Sequence, residues 1–315
     1  MINKNSKIYI AGHKGMVGSS VLRLFQKKGF KNLITISKDK LDLLNQEKTF
    51  NFLKKKRPEA VIIAAALVGG IKANNLNRAN FIYQNLQIQN NLIHGSYLAG
   101  VKKLIFLGSS CIYPRNCKQP IKEEYLLSSK LEPTNEPYAI AKIAGLKMIE
   151  NYNKQFKTDY LCLMPCNLFG PNDNYDLNSS HFFPAIIRKC LNSKKNNSNF
   201  IELWGNGKAL REVMYVDDLA NATYFFLKKK VSHSLINIGS GIEFSISEYL
   251  KIIAKKIGLK VKIKYDYSKP NGTPRKLLDT SISKSYGWKN KTTLLQGLNK
   301  TIKDIEKKYP LLNFD

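Results

Sequence analysis

The chain is sparing with cysteine, acid and long apolar runs. Its five cysteines, Cys111, Cys117, Cys162, Cys166 and Cys190, are odd in number and contain no CxxC. That argues against a disulfide framework and against a zinc site. It predicts reduced thiols in a cytoplasmic protein with no bound metal. The longest apolar run extends only from Ala60 to Ile71, too short to span a bilayer. No signal peptide is expected, because Lys7-Ile-Tyr-Ile-Ala-Gly12 already reads as a first core strand. Acid is scarce: 23 acidic residues face 51 basic ones, for a net charge of +28. Such a balance can mark a nucleic-acid binder. Here the lysines are scattered, as in Lys54-Lys-Lys56, Lys194-Lys195 and Lys228-Lys-Lys230, and asparagine is abundant. This is a compositional bias rather than a binding stripe, so neither a nucleic-acid partner nor a membrane is expected. Part of the charge would help attract an anionic substrate.

What is present suits a globular enzyme. Hydrophobic residues make up 43% of 315 residues, enough for one large or two intimately joined domains. Candidate strands fall at Ile8–Ala11, Leu33–Ile36, Ala60–Ala65, Leu104–Leu107 and Tyr160–Met164. Helical stretches lie between them, at Met16–Lys28, Asn80–Ala99 and Tyr138–Phe156. Strand–helix alternation predicts an α/β fold, with a doubly wound, Rossmann-like parallel sheet covered on both faces. After Pro165 the chain turns rich in Asn, Pro, Gly and Ser, with a helical piece near Phe183–Leu191. Val213–Val216 then reads as a strand, Asp217–Leu227 as a helix and Asn237–Ser240 as a strand end. Residues 245–257 read as a helix capped by Ser245 or Ser247. The expected division is residues 1–166 plus about 213–240 for a dinucleotide-binding domain. About 167–212 plus 241–315 would form a smaller α/β substrate domain.

Gly12-His-Lys-Gly15-Met-Val-Gly18 follows the first strand and opens a helix. Glycines there allow a tight turn and close backbone approach to a pyrophosphate, which the helix N-terminus then faces. The second strand ends Thr35-Ile-Ser-Lys38, with no acid before Asp39. An acid there would suit NAD and a base NADP. Lys38, together with Lys14, therefore favours NADP(H).

The fourth strand runs into Leu107-Gly-Ser-Ser-Cys-Ile-Tyr-Pro114, at the sheet edge where doubly wound folds bind ligands. Tyr138 and Lys142 stand four apart and share a helix face. The lysine charge should lower the tyrosine pKa. Cys162 and Cys166, evenly spaced, read as one buried strand face. Cys111 differs from them: a thiol two residues after Ser109 could exchange a proton with carbon beside a ketone. Inversion of a stereocentre needs a second group on the opposite face. His181, in Asn178-Ser-Ser-His-Phe-Phe-Pro184, lies in a later segment that would cover the substrate.

Ser109, Tyr138 and Lys142 match the triad of the extended short-chain dehydrogenase/reductases that act on nucleotide sugars. More closely, the chain resembles the GDP-L-fucose synthase family of NADPH-dependent 3,5-epimerase-4-reductases, from the glycine loop almost to the C-terminus. The resemblance is carried by Ala64-Ala-Ala-Leu-Val-Gly-Gly-Ile71, Phe81-Ile-Tyr-Gln-Asn85 and Gly108–Pro114. It continues through Glu132–Gly145, Asn167-Leu-Phe-Gly-Pro171, Ser180–Pro184, Trp204-Gly-Asn-Gly207 and Lys269–Asp279.

The resemblance implies GDP-4-keto-6-deoxy-D-mannose as substrate. Ser109, Tyr138 and Lys142 would be the reductase triad, with Cys111 and His181 as the epimerisation pair. It implies cofactor contacts from Gly12, His13, Lys14, Gly15, Met16, Val17, Gly18, Lys38, Leu107, Gly108, Lys142, Pro165, Asn167, Leu168 and His181. Lys189, Trp204, Arg211 and Asp279 would hold the nucleotide sugar, and the family implies a homodimer. The chain departs from the family at Lys14 and Lys38, where arginine is common; lysine keeps the charge but loses bidentate geometry. One rival is a related epimerase or reductase acting on another nucleotide 4-keto sugar; Cys111 with His181 argues against a plain 4-epimerase. The other is a basic nucleic-acid-binding scaffold, against which the intact triad argues.

Overall fold

The structure, a computed structural model, describes residues 2–269 and 271–309. Met1, Pro270 and residues 310–315, which the expected domain limits include, lie outside the described residues. β1 (Ile8–Ala11) is apolar and buried at every position. The glycine loop follows, then α1 (Met16–Lys27), which turns Val21 and Phe25 inward. β2 (Leu33–Ile34), α2 (Gln46–Lys56), β3 (Ala60–Ile63), α3 (Ile71–Leu76) and α4 (Arg78–Leu98) come next. β4 (Lys103–Leu107), α5 (Glu136–Phe156) and β5 (Asp159–Pro165) continue the alternation. β3, β4 and β5 bury almost every residue, as strands covered on both faces must.

The second part of the chain contains β6 (Asn167–Phe169), α6 (Phe182–Lys195), β7 (Phe200–Trp204), β8 (Leu210–Tyr215), α7 (Val216–Leu227) and β9 (Leu235–Ile238). β10 (Glu243–Ser245), α8 (Ile246–Lys256), β11 (Lys262–Asp266), β12 (Arg275–Lys276), α9 (Ser281–Ser285) and α10 (Leu294–Lys308) complete it. Ser245, not Ser247, caps α8, through a reciprocal capping box with Glu248.

The main sheet has the order β2-β1-β3-β4-β5-β9, and every neighbouring pair is parallel. Strand order reverses beside β1, which places a ligand crevice at the carboxyl ends of β1 and β3. A second sheet has the order β10-β8-β12, with β6 also paired to β8, and β7 pairs with β11. The strand expected at Val213–Val216 therefore does not return to the main sheet. Its residues up to Tyr215 lie in β8 of the second sheet, and Val216 opens α7. α7 and β9 rejoin the first half, where Ser20 Oγ donates to Asp217 Oδ1 at 2.5 Å, and Leu278 and Trp288 also join the apolar cluster around the main sheet.

Two apolar clusters underlie this arrangement. One packs around the main sheet. The other gathers Phe169, Phe183, Ile187, Tyr249, Ile253 and Leu298. Cys162 lies in β5, whereas Cys166 falls one residue beyond that strand; both are buried. Among the described residues, no helix is long and apolar enough to cross a membrane.

Candidate active site

The crevice begins at the glycine loop. Gly12 has φ +84°, and a Cβ there would lie 2.6 Å from Ala65 N; one on Gly18 would lie 2.1 Å from Gly12 O. These two glycines let the turn fit between β1, β3 and α1. A Cβ on Gly15 would meet only Gly12 O, at 3.5 Å. Gly15 is the N-cap of α1 and offers no side-chain cap, so the N–H groups of Met16 and Val17 are left for a ligand. An open cradle against an uncapped helix end fits a dinucleotide pyrophosphate. His13 is partly buried and its pKa is lowered, by burial first and then by Lys14. Lys14 and Lys38 are exposed. Asp39 is held below the usual carboxylate range, chiefly by a hydrogen bond from Ser37, with Lys14 and Lys40 adding to it. The glycine loop and the end of β2 thus come within electrostatic reach of each other.

At the end of β4, Ser109 caps a short 3-10 turn of Ser110–Ile112. This brings Ser109 Oγ within 2.9 Å of Cys111 Sγ. From α5, Tyr138 and Lys142 face the same point, because α5 lies close on β4: a Cβ on Gly145 would be 2.8 Å from the Phe106 ring. Lys142 Nζ donates to Leu107 O at 3.0 Å. It lies 4.6 Å from the Phe106 ring centroid and 5.8 Å from that of Tyr138. Burial lowers the Lys142 pKa to about 8, against smaller opposing effects of Cys162 and Cys111.

The expected lowering of the Tyr138 pKa does not occur. Burial raises it, Cys111 adds to the rise, and the hydrogen bond with Ser109 only partly opposes them. Desolvation of a fully enclosed phenolate outweighs an ammonium already hydrogen-bonded to a carbonyl. Tyr138 is therefore a neutral phenol at neutral pH, the form that can give a proton. The four residues read from the sequence meet here. Gly108 seals the floor: its N–H donates to Leu163 O at 2.9 Å, and a Cβ would strike Met164.

The segment between β6 and α6 lies against the loop after β3. Gly70 N donates to Ser179 O at 2.8 Å, and Lys72 Nζ donates to Asn178 Oδ1 at 2.7 Å. These bonds fasten the segment to the loop after β3. His181 follows as the N-cap of α6. Its residue surface is exposed. Desolvation first, and the Lys276 charge second, lower its pKa to about 4. Pro165 ends β5. Asn167 Nδ2 donates to Glu212 O at 2.9 Å, and Leu168 pairs with Met214, so this stretch bridges the two sheets.

Among the described residues, the four expected at the sugar nucleotide share no hydrogen bond or ion pair with one another. Lys189 Nζ donates to Glu202 O at 2.8 Å, on the strand that ends at the half-exposed Trp204, with Lys269 Nζ 6.0 Å from the Trp204 ring centroid. Arg211 lies in β8, buried, with its pKa lowered to about 10 by burial and partly restored by Glu132. The partners of Asp279 are Ile121, Ser281, Lys122 and Lys284, not the other three.

The sequence passed over Lys276. It lies in β12 in register with Arg211, and its charge reaches Cys111, Arg211, Glu132 and Cys117. No local signal marks it, since these neighbours come from distant segments and lysine is common throughout the chain. A cavity of about 540 Å³, lined by Leu191, Lys194, Lys256, Ile302 and Glu306 among others, shares no residue with this site.

Comparison with known proteins agrees with the fold. Residues 8–239 match the NAD dependent epimerase/dehydratase family. A protein of Sinorhizobium fredii described as GDP-L-fucose synthase is 50% identical over 295 residues, covering 94% of each chain. A GDP-6-OMe-4-keto-L-xylo-heptose reductase from C. jejuni superposes with a TM-score of 0.90 at 37% identity, covering 98% of this chain and 99% of that one. A GDP-L-fucose synthetase from Naegleria fowleri bound to NADP superposes with a TM-score of 0.89 at 25% identity, covering 98% and 95%.

Proposed function

Since the chain belongs to the NAD dependent epimerase/dehydratase family, we infer that it catalyses the reaction of the GDP-L-fucose synthases it resembles. That reaction is 3,5-epimerisation and 4-reduction of GDP-4-keto-6-deoxy-D-mannose to GDP-L-fucose. The observation that carries the reading is Cys111 Sγ, 2.9 Å from Ser109 Oγ inside a reductase triad.

The C4 ketone makes the hydrogens on C3 and C5 acidic, so one carbonyl serves both stages. Cys111 and His181 face the sugar from β4 and from the α6 N-terminus, and exchange protons at those carbons. Ser109 Oγ orients the C4 oxygen. A nicotinamide cofactor, when bound, supplies hydride to C4. Tyr138 gives its phenolic proton to the C4 oxygen, as its raised pKa allows. Lys142, fixed by Leu107 O, places a positive charge beside the resulting phenolate. His181 is neutral at pH 7, so any proton it passes on arrives through its water-facing edge.

NADP is the form of the cofactor we propose, because Lys14 and Lys38 both stand exposed near the end of β2. Gly12–Gly18, Leu107, Gly108, Pro165, Asn167 and Leu168 would line it. Lys189, Trp204, Arg211 and Asp279 would hold the GDP-sugar. Of these, Arg211 is the one whose contacts join it to the catalytic cluster. Residues 1–166 with α7 and β9 would bind the cofactor, and the remainder the sugar. A homodimer is supported by Tyr83, Leu98, Ile140 and Phe156, which stand exposed on α4 and α5. A cytoplasmic location is supported by five unpaired thiols.

The test is incubation of purified protein with GDP-4-keto-6-deoxy-D-mannose and NADPH, with the product identified by NMR. GDP-L-fucose is expected. A reduced GDP-sugar with C3 and C5 uninverted would instead make the chain a 4-reductase, the activity printed for the C. jejuni relative.

A further inference from the structure

We propose that the edge of the main sheet opposite the crevice is a docking face for an anionic lipid surface, built from lysines far apart in the chain, whatever reaction the crevice performs.

In sequence order these lysines read as scattered; the topology gathers them. Every neighbouring pair of strands in the main sheet is parallel, so the helices between them run back antiparallel to the strands. Helix C-termini and strand starts therefore collect at one edge, and the crevice lies at the other. α1 ends in Lys27 and Lys28, and α2 in Lys54–Lys56 and Arg57. Lys154 lies in the last turn of α5 and Lys157 follows it, while Lys228–Lys230 follow α7. Lys7, Lys31 and Lys102 stand just before β1, β2 and β4. All of these side chains are exposed.

Direct contacts join the segments into one face. Lys31 N donates to Lys4 O at 2.9 Å, and Lys102 N donates to Glu59 O at 3.2 Å. Lys103 Nζ donates to Lys229 O. Lys28 Nζ and Lys228 Nζ both lie over the Tyr224 ring, 5.4 and 5.5 Å from its centroid. The carboxylates at these element ends are Glu59 and Asp159. Glu59 accepts from Ser6 Oγ and Lys7 N, and Asp159 Oδ2 lies 3.0 Å from Lys103 Nζ. Among the described residues, no other cation named here is ion-paired. Lysine in a last helical turn complements the helix dipole, but that effect fades within the turn. It gives no reason for Lys7, Lys31, Lys102, Lys229 or Lys230.

The chemistry of the face selects its partner. Helix C-termini present carbonyl groups, so the backbone offers no N–H cradle for single phosphates. Except for Arg57 the cations are lysines, point charges on flexible stems rather than planar forks that grip phosphates or read bases. They stand at helix ends on both sides of the sheet, α1 packing on α7 and α4 on α2 and α5, which makes a broad face rather than a stripe. Such a face matches the spread charge of a planar anionic surface better than a nucleic-acid strand.

The experiment uses the full chain and cosedimentation with vesicles of phosphatidylcholine, with or without phosphatidylglycerol. Two face variants replace Lys54, Lys55 and Lys56, or Lys228, Lys229 and Lys230, with Gln. A control replaces Lys260, Lys262 and Lys264 of the β11 region with Gln, removing the same charge elsewhere. Each is checked for a native circular dichroism spectrum. The wild type should sediment with the phosphatidylglycerol vesicles alone, and raising salt from about 0.1 M to about 1 M should release it. A lysine near such a surface is worth about fivefold in partition, so each face variant should lose about tenfold or more and the control less than about twofold. Absence of wild-type binding at about 0.1 M salt would overturn the proposal. So would an equal loss in the control, which would assign binding to net charge and not to this face. A duplex DNA, followed by fluorescence anisotropy, is the third arm. If the face variants lose affinity for the duplex and keep it for vesicles, the face is a nucleic-acid interface and the proposal fails.

Discussion

Gly12 and Gly15 are both glycines of one loop, yet the structure gives them opposite jobs, and alanine at each should separate folding from cofactor binding. Gly12 has φ +84°. A side chain in the left-handed region costs about 1–2 kcal/mol. Its Cβ would also lie 2.6 Å from Ala65 N, a backbone atom of the neighbouring loop that cannot rotate away. Relief requires β1 and β3 to part at their ends, at about 1–3 kcal/mol more. Gly12→Ala should therefore lose roughly 2–5 kcal/mol of stability, a fall in Tm on the order of 5–10 °C.

Gly15 has φ −73° and ψ 168°, ordinary extended backbone, and its Cβ would meet only Gly12 O at 3.5 Å. Gly15→Ala should leave stability within about 0.5 kcal/mol. The methyl group would instead stand at the open end of α1, where a pyrophosphate approaches. NADPH binding should weaken by about tenfold or more, equivalent to ~1.4 kcal/mol. Thermal denaturation by circular dichroism and NADPH titration calorimetry read the two effects separately. Equal losses of Tm in both variants, or unchanged NADPH affinity in Gly15→Ala, would refute this division of roles.

Three further outcomes are expected. Cys111→Ser should bind NADPH normally but slow deuterium exchange at C3 and C5 by about 10²-fold or more; near-normal GDP-fucose formation would remove Cys111 from the mechanism. Burial lowers Lys142 to about 8, so its ammonium is lost as pH rises through that value, and kcat/KM should decline above about pH 8; a profile flat to pH 10 would contradict the assigned role. Burial raises Glu212 from 4.5 to about 7, against hydrogen bonds from Gly241, Leu278 and Ser240. Between those two values the folded chain holds a proton that the unfolded chain has released. Stability should therefore fall as pH rises through that window, by roughly 3 kcal/mol. Asp173, raised to about 7, and His181, lowered to about 4, also titrate here, so chemical denaturation from pH 4.5 to 7.5 should show the Glu212 contribution as the difference in slope between the wild type and Glu212→Gln.

The parts legible from sequence are those that local rules govern. A buried apolar run before three spaced glycines can be little else than β1, its turn and α1, because period, glycine geometry and helix start all act within twenty residues or so. Tyr138 and Lys142 share a face because the helix repeat puts them there, and Ser245 with Glu248 forms a cap within one turn. Spacing says nothing of the electrostatics of Tyr138, since burial decides them.

The remainder depended on which segments meet in space. Val213 to Tyr215 is an apolar strand under either assignment; its partners in β6, β10 and β12, short and weakly patterned, place it in the second sheet. Lys276 is one lysine among many until β12 docks beside β8 and puts it in register with Arg211. Glu212 becomes a buried, proton-holding carboxyl only because Gly241 and Leu278 close over it. The sequence by itself determined the local frame and the identity of the reacting groups, because backbone periodicity and functional-group chemistry are local. The tertiary structure decided their charge states and their neighbours, because desolvation and long-range pairing exist only once distant segments are packed together.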